Sequence, residues 1–229
     1  DAQRFSPLKQ IDRSNVAKLR TAWTYRTGEL GAGFARAGRL AFEATPILAN
    51  GTLYLSTPTS IVIALDPATG KERWRYDPRI ARSVGYSEAT SRGVSSWLDL
   101  MPPSAQPCAH RIFIGTLDAR LIAIDGRTGK LCADFGAQGA VDLTVGANVK
   151  DRGTYLVTSP PAIYRDVVMV GSAIGDNRSV GVERGVVRAF DARSGALRWS
   201  WNSIAASPGA TSVATGANAW SVFSADSGR

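Results

Sequence analysis

The side chains that could do chemistry here are two cysteines, one histidine and a scatter of acids, arginines and hydroxyls. Their spacing excludes the commoner reaction types. Cys108 and Cys132 are too far apart for a CxxC redox pair and match no zinc spacing. They read either as one disulfide or as two independent buried thiols. His110 is the only histidine, so a His-rich metal site cannot be built within these residues. A Ser-His-Asp triad would have to use His110, which stands beside a strand with no supporting motif. Gly171-Ser172-Ala173 lacks the glycine two residues before the serine that a nucleophile elbow needs. No Walker loop is present.

Asp, Thr or Ser, and Gly at a fixed spacing stand out instead. Ala64-Leu65-Asp66-Pro67-Ala68-Thr69-Gly70 is followed by Trp74. Ala189-Phe190-Asp191-Ala192-Arg193-Ser194-Gly195 is followed by Trp199. Ala123-Ile124-Asp125-Gly126-Arg127-Thr128-Gly129 repeats the pattern, with Ala133 where Trp is expected. Each position has a physical reason. The Asp carboxylate can accept hydrogen bonds from the backbone N–H groups of the following turn, and Thr or Ser can hold the same turn. Gly supplies the positive φ that ends it. Trp on the returning strand offers a flat surface to pack between sheets.

These turns need strands to carry them. Residues 45–49 and 52–56 flank Asn50-Gly51, a strong hairpin signal. Residues 111–116 precede the second copy; residues 161–164 and 167–172 flank Arg165-Asp166 before the third. That gives about four short strands per copy, the blade of an all-β propeller of four-stranded antiparallel sheets. About three blades plus flanking strands are expected. Residues 21–25 read as the last strand of an otherwise missing blade, and Asn218–Ser224 as the start of a fourth. Helical periodicity is weak; the best helix is short, over residues 14–19, with Ser14 as N-cap. Residues 1–229 read as a single partial propeller domain, truncated on its C-terminal side.

Composition agrees. Charged residues are 20% and glycines number 23 in 229 residues, which suits a turn-rich β protein. The net charge of +8 comes from scattered Lys and Arg without any nucleic-acid-binding pattern, so no nucleic-acid partner is expected. No apolar run reaches the roughly 18 residues of a membrane helix. Asp1-Ala2-Gln3-Arg4 has no apolar signal region, so the chain is expected to follow a segment absent from it.

The repeat resembles the tryptophan-docking motif of the quinoprotein dehydrogenases, eight-bladed propellers that carry pyrroloquinoline quinone (PQQ). Further matches are residues 4–11, residues 22–28, Ser159-Pro160-Pro161 and residues 185–191. The resemblance is nearest to the membrane-bound glucose and quinate dehydrogenase branch. It implies a cofactor site. Arg26, in Tyr-Arg-Thr-Gly, matches a cofactor-proximal arginine. Glu43 matches an acid against the quinone edge, and Arg92, in Ser-Arg-Gly-Val-Ser, an arginine on a PQQ carboxylate. Thr158 and Ser172 fall near hydrogen-bonding positions. Asp176-Asn177 matches a pair beside the metal, with Asp176 as ligand of Ca²⁺ or Mg²⁺ and Asn177 on the cofactor. Trp220 matches the ring that stacks under the quinone. Glu88 departs from the pattern, since glucose-type relatives place a His there.

The implied activity is oxidation of a sugar or polyol hydroxyl, with electrons passed to a membrane quinone. The implied location is the periplasm, against the inner membrane through a segment absent from this chain. The catalytic base is expected beyond Arg229, and the remainder of the propeller is needed to close the ring. Similar propeller repeats occur in outer-membrane assembly lipoproteins without PQQ, which makes a non-catalytic scaffold the alternative.

Overall fold

The computed structural model describes residues 7–29, 40–101, 106–175, 183–202, 204 and 216–225. The repeated aspartates organise it locally. Oδ1 of Asp66 accepts from the N–H groups of Ala68 and Thr69 and from the Thr69 hydroxyl. Asp125 does the same for Arg127 and Thr128, and Asp191 for Arg193 and Ser194. Gly70, Gly129 and Gly195 close the three turns at φ 67°, 73° and 70°, where a side chain would be strained. Hydrogen bonds from Arg73 and from Thr69 hold the Asp66 carboxyl down at about 2. Burial pushes Asp191 up, but hydrogen bonds from Ser194, Arg198 and Arg193 outweigh it and bring that group to about 2 as well.

Around these turns the strands form three antiparallel sheets. β1 is Leu40–Phe42 and stands apart from them. The first blade orders β2 (Ile47–Ala49), β3 (Thr52–Ser56), β4 (Val62–Leu65) and β5 (Glu72–Tyr76) side by side. Asn50 and Gly51, at φ 46° and 69°, make the tight β2–β3 turn that their sequence predicts. β6 (Ala89–Ser91) pairs in parallel with β1. The second blade comprises β7 (Ser95–Leu98), β8 (His110–Gly115), β9 (Arg120–Asp125) and β10 (Ala140–Asp142), and the third β11 (Ala162–Tyr164), β12 (Val167–Val170), β13 (Val187–Asp191) and β14 (Leu197–Trp201). The core lies between blades: Ile112, Ile114, Ile122 and Ile124 of the second face Tyr54, Val62 and Ala64 of the first. Phe113, Phe135 and Phe190 anchor the layer between the second and third. No helix of the described residues is long and apolar enough to cross a membrane.

Indole rings join neighbouring blades. The Trp74 N–H donates to the Gly126 carbonyl at 3.0 Å, and a methyl group added at Gly129 would lie 2.8 Å from the ring. Trp23 repeats this one blade earlier, donating to Pro67 and covering Gly70. At the second junction, where Ala133 replaces Trp, a loop does the work. Gly136 N–H donates to the Ser194 carbonyl at 2.8 Å and lies against Gly195. The outer strand of the second blade is therefore interrupted. Cys132 still bonds Ala123, the loop turns out, and β10 resumes pairing opposite Leu121.

Three local expectations are corrected. Residues 21–25 form no ladder, because no strand of their own blade is described beside them; Trp23 and Tyr25 still dock by their side chains. The expected helix is a single 3-10 turn at Val16–Lys18 with Asn15 in the cap position. Ser14 cannot cap it, since its hydroxyl donates to Asp12 instead. Residues 216–225 likewise run without strand pairing.

Cys108 and Cys132 are joined, with 5.7 Å between their Cα atoms. The bridge ties the chain before β8 to the outer strand of the same blade. By the entropy of closing a loop of this length, replacing both cysteines with serine should cost about 3 kcal/mol in denaturant unfolding of the oxidised protein. Acid should act through the turns. Asp66 and Asp191 titrate near 2 when folded against about 3.9 unfolded, so their contribution is complete above about pH 4 and is lost as pH falls toward 2. An Asp66→Asn/Asp191→Asn variant should show a flatter fall in melting temperature over that window.

Candidate functional site

β2, β7 and β11 are the edge strands of their blades, opposite the edges that carry the outer strands. A short stretch precedes each, and these stretches bond to one another from blade to blade. Thr45 N–H donates to the Arg92 carbonyl at 3.1 Å, and Arg92 N–H donates to the Thr158 carbonyl at 2.7 Å. The Ser159 hydroxyl then donates to the Trp220 carbonyl at 2.6 Å. Equivalent positions of successive blades are thereby brought side by side.

Arg92 is the centre of this group. Its Nη2 lies 2.9 Å from a Glu43 carboxylate oxygen and 2.8 Å from one of Glu88. Its Nη1 donates to the Thr158 hydroxyl at 2.7 Å. Its guanidinium carbon sits 5.1 Å from the centroid of the Trp220 ring, a cation–π distance. Thr158 is buried, the Arg92 side chain is 21% exposed, and Trp220 is 48% exposed, so the group has a wet aromatic surface over a dry polar floor.

Ser172 belongs to the same neighbourhood. Gly171 before it lies so close to the Ala219 carbonyl that a side chain there would collide. Ala173 after it exchanges backbone hydrogen bonds with Leu156, two residues before Thr158. Ser172 is 2% exposed, and its hydroxyl has no hydrogen-bond partner among the described residues. A buried orphan hydroxyl costs about 1–3 kcal/mol, so an atom that accepts or donates there would be favoured.

Of the remaining expected residues, only Arg26 is described. Arg26 is exposed and held beside β5, the outer strand of its blade: Tyr25 donates to the Glu72 carboxylate, and Arg75 donates to the Thr27 carbonyl at 3.4 Å. Among the described residues no contact joins it to Arg92. Asp176 and Asn177 lie outside the described residues. Glu183, which the sequence reading passed over, is a buried carboxylate that accepts from the Thr154 hydroxyl at 2.8 Å and from Gly175 N–H at 3.3 Å. Burial pushes this carboxyl up, while hydrogen bonds from its own backbone N–H, the Thr154 hydroxyl and the Gly175 N–H pull it below its ordinary value on balance. No repeat marks Glu183; only its place shortly after Asp176 could have drawn attention to it.

The family model for the PQQ glucose/ethanol/alcohol dehydrogenase β-propeller domain matches residues 1–229. The chain belongs to the PQQ-dependent dehydrogenase family. Its relatives include the quinoprotein glucose dehydrogenase of Escherichia coli (strain K12), 38% identical over 215 residues that cover 92% of this chain and 27% of that protein. Quinate/shikimate dehydrogenase (quinone) of Acinetobacter baylyi is 32% identical, over 97% of this chain and 30% of the relative. The crystal structure of quinohemoprotein alcohol dehydrogenase from Comamonas testosteroni matches 91% of this chain and 27% of that one, with a TM-score of 0.69 and 30% identity. A europium-containing methanol dehydrogenase matches 85% of this chain and 29% of its own, with a TM-score of 0.63 and 27% identity. The chain thus spans less than a third of the length of these relatives.

Removing the central cation tests the arrangement. Arg92→Met should leave Glu43 and Glu88 facing each other and lower stability by about 1 kcal/mol, the scale of half-exposed ion pairs. Adding Glu43→Gln and Glu88→Gln to that variant should recover most of the loss in denaturant unfolding.

Proposed function

We propose that this chain supplies one wall of the PQQ site of a dehydrogenase that oxidises a sugar or polyol hydroxyl, of the glucose or quinate type. The observation that carries this reading is the Arg92 group. PQQ is planar and carries three carboxylates. A guanidinium pairs with carboxylate in bidentate fashion, and an indole face suits a flat ring. Here Arg92, the Trp220 face, the Thr158 hydroxyl and the unpartnered Ser172 hydroxyl stand in one neighbourhood. Those residue types fit the cofactor.

In this reading Arg92 binds a cofactor carboxylate, which takes the place of one of its two glutamates. Trp220 supports the ring from one side, Thr158 and Ser172 hydrogen-bond its edge, and Glu43 sits against it. Arg26 and Asn177 are further cofactor contacts carried by the family resemblance. Asp176 is the carboxylate assigned to Ca²⁺ or Mg²⁺, and oxygen ligands suit either ion. Glu183 anchors Gly175 and so the backbone that leads into Asp176. When bound, the quinone supplies the two-electron acceptor for the substrate carbon, and the cation the positive charge that polarises it. The base that takes the substrate hydroxyl proton is assigned to residues outside 1–229, as is the rest of the ring. Electrons would leave to a membrane quinone. A periplasmic protein held at the inner membrane by a segment outside this chain completes the proposal.

The test is titration of the full metal-loaded apoprotein with PQQ, followed by quenching of tryptophan fluorescence and by dye reduction with glucose or quinate. Arg92→Gln should weaken PQQ binding at least tenfold, about 1.4 kcal/mol, with Trp220→Ala at least as damaging. Binding unaffected by both variants would overturn the assigned site. A folded protein that binds no PQQ would favour the non-catalytic scaffold of the outer-membrane assembly type.

A further inference from the structure

We infer that a second small-molecule site, for a polyhydroxylated carboxylate such as a sugar acid, lies in the groove between the first and second blades. The groove holds about 530 Å³, within the range usual for small-molecule sites. Three tyrosines form part of its wall: Tyr76 at the end of β5, with Tyr86 and Tyr155 on the loops that follow. Tyr86 and Tyr155 are buried and give the groove a fixed floor, whereas Tyr76 is half-buried and offers a ring surface. Burial pushes the Tyr86 hydroxyl up to about 12, so it stays a neutral hydrogen-bonding group at any working pH.

Charge narrows the ligand class: the wall sets Arg79, Arg120 and Arg152 against Asp118 and Asp142, a net positive lining. Of the guanidiniums in the wall, Arg120 is held by the Asp118 carboxylate and the Pro78 carbonyl. Arg79 and Arg152 are exposed, and neither makes an ion pair or side-chain hydrogen bond with another described residue. Two uncommitted guanidiniums beside an aromatic ring suit a carboxylate on a hydroxyl-rich body: the forks take the anion, and the ring and the Gln138 amide take the carbon and hydroxyl faces. The backbone is also set for this. Arg79 and Gln138 both sit at φ 55°, a region that side chains rarely adopt. Such residues cluster at binding sites, where the surrounding structure holds them.

Arg92, Thr158, Ser172 and Trp220 are not part of this wall, so the groove is separate from the proposed cofactor group. The two remain neighbours along the chain, since Glu88 follows Tyr86 by two residues. The inference therefore does not depend on PQQ.

Calorimetric titration of the full protein with gluconate, and with sorbitol as the neutral twin, tests it. Gluconate should bind in the millimolar range, at least tenfold more tightly than sorbitol, and more weakly as salt is raised. Arg79→Gln/Arg152→Gln should reduce gluconate binding at least tenfold with the melting temperature unchanged, while Arg92→Gln leaves it intact. Equal binding of sorbitol, absence of gluconate binding, or binding that survives the double variant would each overturn the inference. Loss of gluconate binding in Arg92→Gln alone would move the ligand to the cofactor group and overturn it too. An unsubstituted protein that binds gluconate but no PQQ would count against the proposed function and leave this site standing.

Discussion

A turn of five residues sets the geometry of everything else. One carboxylate oxygen collects two backbone N–H groups and a hydroxyl, and a glycine at positive φ closes the loop. Because that glycine has no Cβ, the indole of the preceding blade can lie directly on it. Trp74 on Gly129 and Trp23 on Gly70 are within contact distance only for that reason. The turn therefore does two jobs, reversing the chain within one blade and forming the seat for its neighbour. The same seat accepts a peptide backbone where Ala133 removes the ring, since Gly136 bonds Ser194 and lies against Gly195. What the seat requires is a thin, flat partner with a hydrogen-bond donor.

Regular spacing of blades has a chemical result at the opposite edge of each sheet. Residues in equivalent places of successive repeats lie far apart in sequence but come together before β2, β7 and β11. Glu43, Arg92 and Thr158 occupy such places, and with Glu88 and Trp220 they bring a cation, two acids, a hydroxyl and an aromatic face together. None of the short segments involved could make the arrangement alone, since each contributes only one or two side chains.

This explains what could be read in advance. Asp, Gly and Trp at fixed spacing name their own turn and packing, so the blades were legible from the residues. Asn50-Gly51 was legible because few other pairs tolerate two successive positive φ angles. Glu43, Arg92, Thr158 and Trp220 were legible through family resemblance, and the repeat accounts for their meeting. The loop that interrupts the outer strand of the second blade was not, because Ala133 signals only a missing ring and says nothing of what replaces it. Ser14 misled because an Asp two residues earlier competes for its hydroxyl. Glu183 lies in no repeat, and its burial depends on Thr154 and Gly175, which only the tertiary fold brings to it.

Arg92 contributes its backbone as well as its side chain. Its amide and carbonyl are links in a hoop of hydrogen bonds from Thr45 to Thr158, and its guanidinium faces the group that a ligand would join. The hoop and the ligand thus share one residue, and the two equilibria are linked. Any molecule that prefers Arg92 in this place tightens the seam between blades by as much as the intact seam favours that molecule. Mechanical cohesion of the inner edge and occupancy of the site are then two measures of one free energy.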